Sequence, residues 1–433
     1  MSEVIIGIVA LFILLFLFLT GIELGFAMAI VGFVGFGILK GFSSAYNLVA
    51  VDLFDVFTTY GFTVIPLFVL MGQIAFNAGI AKRLYGSAYT FIGHIPGGLA
   101  MATVAGATAF KAICGSSPAT AATFASVAVP EMDRYGYAKK LSTGIVASVG
   151  TLGILIPPSV TLILFGIITE QSIAKLFMAG ILPGLLTAFF FVVVIYGWCK
   201  INPSIGPKGE RSSWSERLKS LPEVLLVVAI FLVLVGGLMN GFFTPTEAGS
   251  VGTMAVLILS VTKKDINFKG YIRSLLESLR TACMVLMLIA GSTILGHFLA
   301  VTKIPILTAD WVAGLPLNRY VIMILISLIY QVGGSFIDDL AFMILATPIF
   351  YPAAIKLGFD PLWFAMLIGL TIMIGVVIPP VASNVFVVKN ITKVPLGVIY
   401  SGVYPFLVSL IVVTVLLFIF PGMATVLPNL FMK

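Results

Sequence analysis

Apolar runs of roughly 17–25 residues, the length an α-helix needs to cross a bilayer, follow one another along the whole chain, separated by short polar breaks. In the first half they predict spans at about 4–20, 22–40, 62–80, 141–170 and 174–199. The first run lacks a basic leader and a small-residue cleavage site, so it is expected to be retained as a span. Two runs are interrupted alike: GILIPPSVTLILFGIIT at 153–169 and GVVIPPVASNVFVVKNIT at 375–392. Proline removes a backbone donor and clashes with the preceding turn, so Pro157-Pro158 and Pro379-Pro380 predict helices broken within the apolar region. Between the third and fourth spans, 95–132 carries a Gly/Ser break at its middle, the pattern of a hairpin that enters and leaves on one side.

The interruptions keep a common distance. Sliding the sequence by 222 residues lays Pro157-Pro158 on Pro379-Pro380, Gly153 on Gly375, Pro130 on Pro352, and CGSS at 114–117 on FIDD at 336–339. Four coincidences at one offset predict two repeats. The first is 1–200, with its hairpin at about 95–132 and its broken helix at about 141–170. A linker follows at 201–221. The second repeat is 222–433, with its hairpin at about 317–354 and its broken helix at about 363–392.

Charge orients the spans. Lysine and arginine collect on the cytoplasmic side of membrane proteins. Lys82 and Arg83 precede the first hairpin, and Arg134, Lys139 and Lys140 follow it. Continuing that topology places 200–221, 263–280, Lys389 and Lys393 inside, with 17 of the 24 basic residues on one face. Five spans per repeat is an odd number, so the second copy is expected upside down, with both termini periplasmic. The segment 41–58, outside in this scheme, has Asp52 and Asp55 but no basic residue. The expected class is therefore an all-α polytopic membrane protein of two inverted repeats, each with about five spans, a re-entrant hairpin and a proline-broken helix.

Composition agrees: 60% of the 433 residues are hydrophobic and 9% charged. The net charge of +7 follows the topology and suits anionic lipid headgroups, not nucleic acid. Cys114, Cys199 and Cys283 show no metal-ligand spacing, and His94 and His297 stand alone, which argues against a disulfide framework or zinc site. No organic cofactor is expected.

Non-helical backbone at membrane depth is tolerated only where protein buries it or a watery cavity meets it. In transporters built from inverted repeats, such breaks meet near the midplane, offering free carbonyls to Na⁺ and helix N-termini to anions. Na⁺ candidates are Gly115, Ser116 and Ser117 at the first tip, and Gly150, Thr151 and Gly153 in the first broken helix. Gly334 and Asp338 at the second tip and Gly375 in the second broken helix complete that set. Substrate candidates are Ser117, Thr120, Pro158, Ser159, Asp338, Pro380, Ser383, Asn384 and Lys111. An acidic pair in an apolar setting marks a functional position. Asp338 is expected to neutralise a cation, whereas Asp339 caps the following helix or faces water. Ser116 and Ser117 suit capping as well as ligand contact. Lys111 either snorkels to the surface or meets an anionic substrate. Thr244, Pro245 and Glu247 are in capping-box order, a structural role.

GSSPATAA, GILIPPS, FTPTEAG, FIDD, ATPIFYPAAIKLGFDPLWF and GVVIPPVASNVFV, in this order, resemble the large membrane subunit of TRAP (tripartite ATP-independent periplasmic) transporters over essentially the whole chain. The resemblance implies an elevator mechanism, in which a domain holding both hairpins and both broken helices slides against a scaffold of the outer spans. It also implies Na⁺ as coupling ion, a small four-helix membrane subunit, and a periplasmic substrate-binding protein delivering an organic acid across a bacterial or archaeal cytoplasmic membrane. Asp338 falls on the family's acidic position. Cys114 stands where the family usually has serine, Thr120 where it has an acid, and Lys111 where it has a small residue.

Two other readings compete. A stand-alone Na⁺- or H⁺-coupled carboxylate symporter would need no binding protein. An intramembrane enzyme using Asp338 and Asp339 is disfavoured, because adjacent helical residues diverge by about 100° and the other breaks supply no second carboxylate.

Overall fold

The computed structural model describes residues 3–432, and these contain helices, turns and loops but no strand. The first half comprises α1 (Glu3–Leu19), α2 (Leu24–Lys40), α3 (Phe42–Thr58), α4 (Val64–Asn77), α5 (Ile80–Ile92), α6 (Gly98–Lys111), α7 (Ser117–Arg134), α8 (Lys139–Gly150), α9 (Val160–Ile168) and α10 (Ile173–Ile201). The second comprises α11 (Trp214–Met239), α12 (Pro245–Thr262), α13 (Phe268–Thr302), α14 (Ile304–Ala313), α15 (Arg319–Phe336), α16 (Asp339–Lys356), α17 (Pro361–Gly375), α18 (Ser383–Thr392), α19 (Leu396–Ile419) and α20 (Gly422–Phe431). Seven helices among the described residues are long and apolar enough to cross a membrane. Large apolar side chains such as Phe189, Leu232 and Val408 stand exposed on them, as lipid contact requires. The chain is a multi-pass membrane protein.

Helix starts in the two halves keep nearly the same spacing: 98 and 319, 117 and 339, 139 and 361, 160 and 383, 173 and 396. The caps Ser116 and Asp338 stand 222 residues apart, as do Gly136 and Gly358, whose φ angles of 74° and 78° require glycine where each hairpin turns into its next helix. Between α8 and α9 lie a 3-10 turn at Thr151–Ile154 and a turn and bend through the double proline; α17 and α18 are separated by 376–382. Both double prolines contain a cis peptide bond.

Two packing zones carry the site. In one, α2 lies against α13, with Gly25 and Gly32 letting the backbones touch: a Cβ at either would fall 2.7 Å from Met287 O or Leu295 N. α4 packs on α12 and α13 beside them. In the other, α17 is buried at every residue from Trp363 to Gly375, and α8 from Leu141 to Gly150. Both are buried all round: α6, α7 and α19 pack on α8, and α10, α15 and α19 pack on α17.

Three segments show detail that the sequence left open. The segment 41–58 forms helix α3, and its Asp52 is 4% exposed, bonded to His297 Nδ1 at 2.9 Å. A polar group that deep needs a partner, and α13 supplies it. Helix α5, amphipathic and unforeseen, fills the interval between the third span and the hairpin; its polar face masked it in a search for apolar runs. The linker is shorter than 201–221, because α10 extends to Ile201 and the capping box of Ser213 and Glu216 starts α11 at Trp214. What remains is pinned to the hairpin base. Gly97 N donates to Gly206 O, Ala138 N to Ile205 O and Gly209 N to Gly93 O, each at 2.9 Å. Glu210 N donates to the Tyr89 hydroxyl, which donates to Tyr135. Burial, then the Tyr135 contact, pushes that phenol up to about 12, so it keeps its proton.

Candidate functional site between the hairpin tips

The two tips meet at one cavity of ≈ 260 Å³. Cys114, Gly115, Ser116 and Ser117 line it from the first tip, and Asp338, Asp339 and Leu340 from the second. Val160 and Thr161 of α9 close one side. Opposite stand α4, with Phe68, Gly72 and Gln73, and α13, with Thr281, Met284 and Val285.

Each tip is shaped by its cap. Ser116 Oγ accepts from Ala119 N at 3.3 Å, and Pro118 near the helix start reinforces α7. Asp338 Oδ1 accepts from Leu340 N at 3.1 Å and from Ala341 N at 3.4 Å. The reading of the acidic pair is thus partly reversed. Asp338 caps α16 and still faces the cavity, whereas Asp339, given the capping or water-facing role, is 5% exposed within the protein. Ile337 before the cap is β/extended, and both carboxylate residues line the cavity.

The tips are tied to the broken helices. Gly115 packs on the carbonyl of Pro158 so closely that a methyl would overlap it. Gly334 faces Gly375, and a Cβ at Gly375 would lie 3.0 Å from Gln331 O. Val381 N donates to Ser335 O at 3.0 Å. Asn384, fully buried, donates from Nδ2 to Ser117 Oγ at 3.1 Å and to Ala147 O at 3.2 Å, joining the first tip, α8 and α18. Gly150 leaves room for that amide.

Other candidates stand apart from the cavity. The Thr120 hydroxyl donates to Ser116 O, Thr151 to Ser148 O and Ser159 to Ile154 O, and all three side chains are fully buried. Those hydroxyls serve local backbone, the common fate of Ser and Thr in apolar surroundings. Pro158 is buried, whereas Pro380 is exposed, and neither lines the cavity; nor do Ser383, Gly150 and Gly153. Lys111 does not snorkel: its side chain is fully buried, its Nζ donates to Ser116 O at 2.8 Å, and it stands behind the tip, outside the cavity wall. Gln73 and Thr281 escaped the sequence reading. Gln73 is the one strongly polar side chain near the middle of its span, a signal that a search for intramembrane polar residues would have caught. Glu247 closes the capping box with Thr244, accepting from its backbone N at 2.8 Å.

Fold and site together define a polytopic helical membrane protein in which two helix–break–helix tips share one cavity. Residues 11–423 match the family model described as "Tripartite ATP-independent periplasmic transporter, DctM component", and the chain belongs to that family of large permease subunits. It is 35% identical to the C4-dicarboxylate TRAP transporter large permease protein DctM of Pseudomonas aeruginosa, over 88% of this chain and 89% of that one. It is 32% identical to the sialic acid TRAP transporter large permease protein SiaM of Vibrio cholerae, over 96% and 97%. The isethionate TRAP transporter permease protein DctMQ of Oleidesulfovibrio alaskensis is 30% identical, over 85% of this chain and 58% of the longer relative. Among solved structures, the YdaH transporter of Alcanivorax borkumensis shares the fold at TM-score 0.55 and 13% identity, over 88% of this chain and 89% of that one.

Proposed function

We propose that this large permease subunit imports a small organic acid across a bacterial or archaeal cytoplasmic membrane, coupled to Na⁺, by an elevator movement. In this reading the two halves are oppositely oriented copies. The hairpins and broken helices form the moving part, and α2, α4, α12 and α13 belong to the scaffold. The observation that carries the reading is the shared cavity, where the acid of one tip and the serine-capped N-terminus of the other face each other. A carboxylate beside a helix N-terminus is what joint capture of a cation and an anion asks for. Relatives named for C4-dicarboxylates and sialic acid support an acidic substrate. The longer DctMQ relative supports a small membrane subunit working with this one, beside a periplasmic binding protein.

Proteoliposomes holding this chain and its small partner test the reading. Uptake of a radiolabelled acid should require both an inward Na⁺ gradient and the binding protein. Uptake without the binding protein would favour the stand-alone symporter, and indifference to Na⁺ would remove the coupling.

A further inference from the structure

Gln73 carries a polar side chain with no structural duty. It lies on α4, in the wall opposite the two tips, and lines the cavity. Its carboxamide makes no hydrogen bond among the described residues. Only its backbone carbonyl is used: Asn77 Nδ2 donates to it at 3.2 Å and Ser274 Oγ at 3.3 Å. Asn77 Nδ2 also donates to Ser274 Oγ at 3.0 Å, so the polar joint between α4 and α13 is made without the Gln73 side chain. One residue earlier the first tip abuts this wall, where a Cβ at Gly72 would lie 3.2 Å from Cys114 Sγ. A ligand seated at that tip is within reach of α4.

The rest of the lining limits what the ligand is. The backbone N–H groups of Gly115, Ser116 and Ser117 have no partner among the described residues, although Gly115 and Ser117 are buried. Buried N–H groups are seldom left so, and three together at a helix start suit one carboxylate. At the second tip Leu340 N and Ala341 N already close on Asp338 Oδ1, at 3.1 and 3.4 Å, so that helix start supplies its own carboxylate. No lysine, arginine or histidine among the described residues lines the cavity. There is one seat for a carboxylate and none for a second. Across from it stands a neutral carboxamide, which offers two donors and an acceptor.

We propose that Gln73 reads the far end of the substrate, and that the acid this cavity takes is a monocarboxylate bearing a hydroxyl group, its carboxylate at the first tip and its hydroxyl on Gln73. The inference rests on the acid-import reading above and narrows its substrate class. A dicarboxylate would bring its second charge to a wall without a cation, where apolar Phe68, Met284 and Val285 accompany the amide.

Two matched series of acids test it: γ-hydroxybutyrate, butyrate and succinate, then ε-hydroxycaproate, caproate and adipate. Melting of the purified full chain is followed over a concentration range of each, in NaCl and in choline chloride at constant ionic strength. In at least one series the hydroxy acid should bind wild type about 10-fold more tightly than either counterpart. Gln73→Leu should erase the advantage over the unsubstituted acid and leave that acid's own affinity unchanged. Should this variant fail to fold, Gln73→Met reads the same loss. The inference is overturned by a dicarboxylate that stabilises wild type as well as any hydroxy acid does, or by a Gln73 variant that keeps the wild-type preference. It is overturned equally if no hydroxy acid stabilises wild type. Hydroxy-acid stabilisation of equal size in NaCl and choline chloride would instead count against Na⁺ coupling and leave the part of Gln73 standing.

Discussion

The two hairpin tips share a backbone plan and carry opposite chemistry. Both have a helix whose cap faces the cavity, and the caps occupy corresponding places, Ser116 and Asp338. Behind the first stands a buried lysine with a neutral cap. At the second an acid caps and another acid lies buried beside it, with glycine in the lysine's place. The broken helices differ too: Pro157 and Pro158 are buried, Pro379 and Pro380 exposed. At the first tip Lys111 Nζ donates to the Ser116 carbonyl. The second holds two carboxylates in an apolar setting, and in the proposed function a cation balances them. Two similarly built tips thus bring different side-chain chemistry to one cavity.

The largest break in this comparison is Asp338→Asn. Asparagine caps nearly as well as aspartate, so the helix start survives while the charge is lost. Na⁺-stimulated uptake should fall about 100-fold or more, nearly 3 kcal/mol in coupling terms, with the protein still inserting and folding. Full Na⁺ dependence in the variant would show that the second tip does not exchange the ion.

A smaller effect is expected at the bridge between the halves. Asn384→Ala removes the amide that holds Ser117 and Ala147 together and leaves those buried groups short of a partner. The cost should be about 2 kcal/mol of stability. Uptake should decline with the Na⁺ requirement unchanged, because the bridge positions the first tip without touching the second. A shift in apparent Na⁺ affinity would mean that the tips are coupled through Asn384.

Much of this was legible before any coordinates. Paired prolines and Gly/Ser breaks are local punctuation, so GILIPPS and GVVIPPV announce interruptions wherever they stand, and FTPTEAG announces its capping box. Resemblance in motif order fixed the family. What sequence could not supply was which side of a helix end a polar group faces. Thr120, Thr151 and Ser159 have the right chemistry for a site, yet each hydroxyl turns to a carbonyl three to five residues away. Lys111 was open to two readings, snorkelling or substrate contact, because its burial depends on Gly153 and Ser116 closing over it from other elements. Gln73 and Thr281 come from helices distant in sequence, and only packing brings them to the cavity.

The smallest expected effect is a control on the whole comparison. Thr244→Ala removes the side-chain half of the capping box that starts α12, far in sequence from either tip. Thr244 Oγ1 accepts from Glu247 N at 3.3 Å, and Glu247 reaches back to Thr244 N. Losing such a cap costs about 1 kcal/mol and acts on folding alone. Melting temperature should drop slightly, while the midpoint and steepness of Na⁺ activation stay where they were. Thr244→Ala acts on stability alone, whereas Asp338→Asn should change the response to Na⁺ with the fold kept. If Thr244→Ala altered that response as well, ion dependence would be reporting general stability, and the contrast drawn between the tips would lose its footing.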